Sequence, residues 1–276
     1  MNRFLRAACL FSAAILAALP GLNAYDNSPA ENVIIPECIW APATGGGTWV
    51  TEVQITARES TTVVVTFHYG AGSYRYVILG PVGAYASLRY ANMLASLQAL
   101  DPTFDYSGRV GALFLSASAG TRIWAQARTC NGNYGKTYPG LAWVDGNTAN
   151  YGADWTTARS MVIQNLTQNA TYRSFVGGFN ATSGGYGVNV QFLLLSSSGA
   201  TLGSAFTKSF GSWGFMSFNP FAEAGLGSGT YENCWLYALV TYSGNYAAGS
   251  RGVYFFGSSA NNYTNDTFAH IAAQFN

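Results

Sequence analysis

The chain has 276 residues, of which 49% are apolar and 15% aromatic but only 9% charged, with 13 basic side chains against 12 acidic. An average soluble domain carries roughly 25% charged residues, so this composition excludes a disordered, highly charged chain and a basic nucleic-acid binder. The length leaves room for two domains of about a hundred residues, each large enough for its own core.

Met1 to Arg6 carries two positive charges, Arg3 and Arg6, and Ala7 to Leu19 is an apolar run interrupted only by Ser12. Pro20 and Gly21 break the run before Leu22-Asn23-Ala24. This is the plan of a secretory signal peptide over residues 1–24, too short in its apolar part for the roughly 20 residues of a membrane span. The reading predicts a secreted protein, extracellular or at the cell surface, that loses Cys9 with its leader. Without Arg3 and Arg6 the basic residues fall from 13 to 11, a formal net charge of −1.

From Trp49 the pattern is one of β-branched and aromatic segments of strand length: WVTEVQIT, TTVVVTFHY from Thr61, YRYVIL from Tyr74, AYASLRY from Ala84, GALFLSA from Gly111 and TRIWAQAR from Thr121. Gly, Ser and Pro punctuate them at sandwich-like intervals. NMLASLQAL from Asn92 breaks the alternation and reads as a helical turn. DGNTANYGAD, Asp145 to Asp154, is rich in turn residues and predicts a linker. Its side-chain oxygens suit a hard cation, but it lacks the twelve-residue hand pattern, and no metal is assigned.

Beyond the linker the chain repeats itself. Moving 130 residues on, Ile123 meets Val253, Asn131 meets Asn261, Thr137 meets Thr267, Tyr138 meets Phe268 and Leu141 meets Ile271. Upstream, CIWAPATGGGTWVTEV from Cys38 aligns 123 residues away with MVIQNLTQNATYRSFV from Met161, so that Trp49 meets Tyr172. VVVTF at Val63 pairs with VNVQF at Val188, and NPFAEAGL at Asn219 stands where the first helical turn stood. A period of this length marks a duplicated structural unit. The expected fold is all-β: two tandem β-sandwich domains of the same topology, residues 33–143 and 156–275, each with one short helical turn.

Cys38, Cys130 and Cys234 remain after export. Under the alignment Cys38 and Cys130 are replaced together by Met161 and Ala260, and exported thiols pair where geometry allows. A Cys38–Cys130 disulfide is therefore expected, with Cys234 a buried thiol.

The run IIPECIWAPATGGGTWVTEVQI, with its Ile-Pro start, Gly-rich turn and aromatic-x-Thr-acid strand, precedes an Arg-Thr-x-Asn strand end at Arg128 and a Gly-x-x-x-Pro tail at Gly135. The mature chain resembles an uncharacterised secreted tandem β-sandwich repeat module of environmental bacteria. The resemblance implies a fold and an address, not a reaction. Glu52 stands for the module's usual Asp, and Phe175 replaces that acid in the second copy.

Catalytic motifs are sparse. His68 and His270 fall at unlike places in the two copies, and no HExxH, paired CxxC or GxSxG occurs. A glycosidase needs only two carboxylates across a sugar; Asp101 and Asp105, or Glu223 and Glu232, are the acids available. No catalytic, cofactor or metal residue is assigned. Sparse charge with abundant Tyr, Trp, Asn, Ser and Gly is the composition of a contact surface. The sequence thus predicts a noncatalytic extracellular protein that binds a polysaccharide, a surface protein or copies of itself. A secreted carbohydrate-active enzyme and an outer-membrane β-barrel are the alternatives, the barrel being opposed by the repeat and by the consecutive apolar residues of VVVTF.

Overall fold

A computed structural model describes residues 28–44, 46–143, 160–181, 187–241, 253–264 and 266–275. The leader, residues 1–24, and the linker, residues 145–154, lie outside these. The first half contains β1 (Asn32–Pro42), β2 (Thr48–Ala57), β3 (Thr61–His68), β4 (Tyr74–Val82), β5 (Ala86–Tyr90), α1 (Met93–Leu100), β6 (Arg109–Ala117), β7 (Ile123–Asn131), β8 (Tyr134–Pro139) and β9 (Leu141–Trp143). The second contains β10 (Ser160–Gln168), β11 (Tyr172–Asn180), β12 (Val188–Leu195), β13 (Phe206–Phe210), β14 (Phe215–Phe218), α2 (Pro220–Glu223), β15 (Tyr231–Thr241), β16 (Val253–Asn261), β17 (Thr267–Ile271) and β18 (Ala273–Phe275).

The architecture is all-β, multi-sheet and sandwich-like. In the second half a five-stranded sheet, β13-β12-β15-β10-β18, accompanies a four-stranded sheet, β14-β11-β16-β17. The first half has the corresponding orders β4-β3-β6-β1-β9 and β5-β2-β7-β8, joined into one nine-stranded sheet because Trp40–Pro42 of β1 also pairs with β2. Alternation sets the faces: Val53, Ile55 and Ala57 are buried, while Glu52, Gln54 and Thr56 between them are half-exposed. Each half has its own apolar core, one built on residues such as Val65, Phe67 and Leu113, the other on Phe192, Leu236 and Phe255. Both helical pieces start at an asparagine whose side chain accepts from backbone N–H groups, Asn92 from Ala95 and Asn219 from Phe221 and Ala222, which satisfies donors left open at a helix start.

Each half holds a buried hydroxyl pair at the same place. Thr51 Oγ1 lies 2.9 Å from Thr129 Oγ1 and accepts from Ile39 N at 2.8 Å. Ser174 Oγ lies 2.6 Å from Ser259 Oγ and accepts from Thr167 N at 2.8 Å. These bonds and the strand pairings fix the correspondence between halves. Trp49 and Tyr172 occupy equivalent places, as expected. Elsewhere the register differs from the sequence alignment. β1 and β10 bulge at the same point, between Ile35 and Cys38 and between Ile163 and Leu166, so Cys38 corresponds to Leu166 and not to Met161. The turn between β16 and β17 is longer than that between β7 and β8, so Tyr138 corresponds to His270, and Phe268 to Lys136.

The expected disulfide is absent: Cys38, Cys130 and Cys234 are all free thiols. Along β7 Ile123, Ala125, Ala127 and Thr129 face inward, and the alternation turns Cys130 to the other side with Trp124, Gln126 and Arg128. Thr129 meets Thr51 there, on the strand segment beside the fully buried Cys38. Burial pushes the Cys38 thiol far above its usual range, against a hydrogen bond with Thr51 that lowers it. The correct counterpart of Cys38, Leu166, shows that its position is a core position.

Candidate functional site

The two halves meet along a seam of apolar side chains. Ile34, Ala112, Tyr138 and Leu141 of the first half pack with Phe179, Ala181, Phe215, Tyr254 and Phe256 of the second. The second half contributes the outer face of its smaller sheet. A Cβ on Gly177 would strike the ring of Phe256, so the glycine lets that ring lie flat over β11. Trp213, on the turn before β14, enters the seam with its ring 5.2 Å from that of His68, 5.2 Å from Phe114 and 6.0 Å from Phe179. Phe215 N donates to Gly70 O at 2.9 Å, and Trp143 Nε1 to Ala181 O at 3.2 Å, across the same boundary.

The equivalent face of the first half is polar except at Trp124, which stands where the second half has Tyr254. Glu52 stands where the second half has Phe175, Gln54 where it has Gly177, Thr56 for Phe179, Gln126 for Phe256 and Arg128 for Ser258. The buried rings of Phe179 and Phe256 thus answer to polar Thr56 and Gln126 on the solvated face, as burial costs require, while Phe175 is 40% exposed.

Within the seam lies a cavity of about 230 Å³, walled on one side by Glu37, Ile39, Trp49, Val110, Thr129 and Lys136 and on the other by residues including Arg173, Phe175 and Phe256. Lys136 Nζ sits 2.8 Å from Glu37 Oε2 and 3.1 Å from Oε1, both side chains being buried. Burial, and then Glu37, holds the Tyr138 phenol well above its usual pKa.

The repeat places a second version of this cavity in the other half. Asn165 stands for Glu37, Thr167 for Ile39, Tyr172 for Trp49, Asn233 for Val110, Ser259 for Thr129 and Phe268 for Lys136. All six line one groove of about 510 Å³, together with Asn169, Glu232 and His270. The seam cavity is covered by the other half of the chain, whereas this groove is lined by second-half residues alone and is the more open of the two. The rings of Tyr172 and Phe268 stand 6.3 Å apart, and Phe268 is 50% exposed. Asn165 and Asn233 have φ values of 57° and 52°, in the left-handed region that asparagine tolerates better than most residues. Glu232 Oε1 accepts from Asn169 Nδ2 at 2.9 Å. Burial lowers the His270 pKa below the usual imidazole value.

The sequence candidates separate. His68 is buried in the seam, its pKa pulled down to about 4 by burial against the opposing effect of a backbone hydrogen bond with Trp213. Asp101 accepts from Thr103 and Tyr106, and Asp105 from Ser107; both carboxyls are lowered by these bonds, chiefly those from Thr103 and Ser107, and shape a loop. Glu223 is paired with Lys208 at 2.6 Å, and Glu52 with Arg89 at 2.7 Å. Glu232 alone among these acids lines the groove, so the facing carboxylates of a glycosidase are not assembled there. Among the described residues no group of three or more His, Cys, Asp and Glu side chains could hold a metal ion. The groove supplies flat aromatic faces, amides, hydroxyls and one carboxylate, which are groups for holding a partner.

No known protein family matches the chain, and no curated protein does. Among solved structures, that of infectious bursal disease virus Gx strain is similar at 9% identity and a TM-score of 0.26, covering 91% of this chain and 63% of that one. A Parabacteroides distasonis protein described as secreted is 7% identical, with a TM-score of 0.22, 90% of this chain and 84% of that one being covered. The VP2 subviral particle of infectious bursal disease virus is 10% identical, with a TM-score of 0.23 and coverage of 92% and 69%. Likenesses this weak carry no argument about function. No helix among the described residues is long and apolar enough to cross a membrane.

Proposed function

We propose that this is an exported, noncatalytic protein that works by contact at the cell surface or in the extracellular matrix. Residues 1–24 are removed as a signal peptide. Two tandem β-sandwich domains of the same topology, 33–143 and 156–275, follow, joined by the linker 145–154. The partner is a polysaccharide, a surface protein or another copy of the chain.

One observation carries this reading: a site that the second half covers in the first half recurs in the second half as a groove lined by second-half residues alone. Its aromatic and amide lining is the chemistry of adaptable binding surfaces. Duplication suits such a role, because linked modules meet repeated partners at an effective concentration of about millimolar.

The test is to purify the mature chain and measure its retention on polysaccharide columns, its self-association by light scattering and any release of reducing sugar. Retention or assembly without turnover, weakened by Phe268→Ala, is the expected result. Sugar release abolished by Glu232→Gln would replace this reading with that of a carbohydrate-active enzyme.

A further inference from the structure

The seam joins the two halves of one chain. Its plug is Trp213, at φ 54° on a turn closed by Gly214 N donating to Gly211 O at 2.9 Å. The first half carries the same turn, closed by Ala86 N donating to Gly83 O at 3.1 Å, and at the plug position stands Tyr85, at φ 55°. A non-glycine residue in this region is strained and persists where its surroundings use it. Trp213 is used: it stacks on His68. Tyr85 is 83% exposed. Beside it Trp124, 41% exposed, occupies the position that Tyr254 fills in the seam. The first half thus presents outward the face that the second half turns into the seam, and the second half presents an open groove where the first half has the seam cavity; Trp213 lies outside the wall of that cavity, so Tyr85 would dock beside the groove.

We propose that the groove of the second half receives the first half of a second copy of this chain, reproducing the intrachain seam between chains, head to tail. The proposal rests on the contact reading and names the partner of the same groove. Charge agrees with it. Transposing the seam geometry brings Arg128, which stands where the seam cavity has Ser258, to the groove whose one lining carboxylate is Glu232, together with Glu52 in place of Phe175, whose charge is met by Arg89. The buried pair of the seam, Glu37 with Lys136, is replaced in the groove by uncharged Asn165 and Phe268, so no lining cation opposes Arg128. The face around Tyr85 and Trp124 also carries Arg58 and Arg122. Because Glu52 and Gln126 stand in place of Phe175 and Phe256, the contact between chains is wetter than the seam, reversible and weakened by salt. Plug and groove are different surfaces, so the contact is heterologous and extends into rings or filaments.

Sedimentation of the purified mature chain over a range of concentrations tests this. The average mass should rise with concentration. Tyr85→Gly removes the plug while supplying the residue best suited to a positive φ, so it should fold normally and weaken association by about tenfold or more. Arg128→Glu and Glu232→Arg should each do the same, and the two together should restore it. A wild-type chain that stays monomeric overturns the proposal. So does assembly indifferent to Tyr85→Gly, assembly lost instead with Tyr76→Lys on the exposed edge strand β4, or a double charge reversal no better than the single ones. A monomeric chain still retained on polysaccharide in a Phe268-dependent way keeps the contact reading and removes the second copy as its partner.

Discussion

Glycine substitution at the two equivalent turns gives opposite results if the seam holds the halves together. Trp213 and Tyr85 share a backbone conformation, φ 54° and 55°, so replacing either with glycine relieves strain of about 1–2 kcal/mol. Each also loosens the unfolded chain, at a cost of about 0.5–1 kcal/mol. The backbone terms nearly cancel, leaving about 0.5 kcal/mol in favour of the variant. The side chains differ. Tyr85 is 83% exposed and loses little. Trp213 loses ring contacts to His68, Phe114, Phe179 and Trp143; for a half-buried indole this is about 2–3 kcal/mol, below the 3–5 of a fully buried one. Urea unfolding followed by circular dichroism should therefore show Tyr85→Gly unchanged or slightly stabilised and Trp213→Gly destabilised by about 2 kcal/mol. The loss should appear as earlier uncoupling of the two halves. Equal effects at the two positions would refute the role given to Trp213.

Acid should weaken the fold through His68. Its folded pKa, about 4, lies below the ordinary 6.5, so the unfolded chain binds the proton first, stability is full above pH 6.5, and it falls as pH drops toward 4. The limit is about 3 kcal/mol at about 1.4 per pH unit, and His68→Phe should flatten that slope in unfolding titrations between pH 7 and 4. Lys136→Met leaves Glu37 buried without its cation and should cost about 3–5 kcal/mol in urea, most of it recovered by adding Glu37→Gln. Peptide mapping without reductant should return Cys38 and Cys130 unlinked, with Cys130 alkylated in the native protein and Cys38 only after unfolding. Thr51→Val strips a partner from Ile39 N and Thr129 and should cost about 1–3 kcal/mol by the same unfolding assay.

The strands and helical turns were legible because their signals are local: alternation from Trp49 to Ala57, and asparagine caps at Asn92 and Asn219. Register was not. A slip of two residues keeps every side chain on its face, so the hydrophobic pattern could not tell whether Tyr138 matched Phe268 or His270. β1 is buried on both faces from Val33 to Cys38, so its one charged residue, the buried Glu37, marked no solvent face, and the bulge shared with β10 hid an odd slip that misplaced Cys38. The disulfide could have been rejected from sequence, since Trp124, Gln126 and Arg128 already mark the outward parity on which Cys130 falls. The groove was invisible because its residues, from Asn165 to His270, are of ordinary type and distant in the chain. It emerges only when the two halves are compared in their true register.

The most direct measurement of the contact reading is amide hydrogen exchange of the mature chain, free and engaged with its partner, whether a polysaccharide or a second copy. The account predicts new protection at the groove, in the end of β10, the start of β11 and β17 around Phe268. Protection confined to the edge strand β4, or none at all while binding persists, would contradict it.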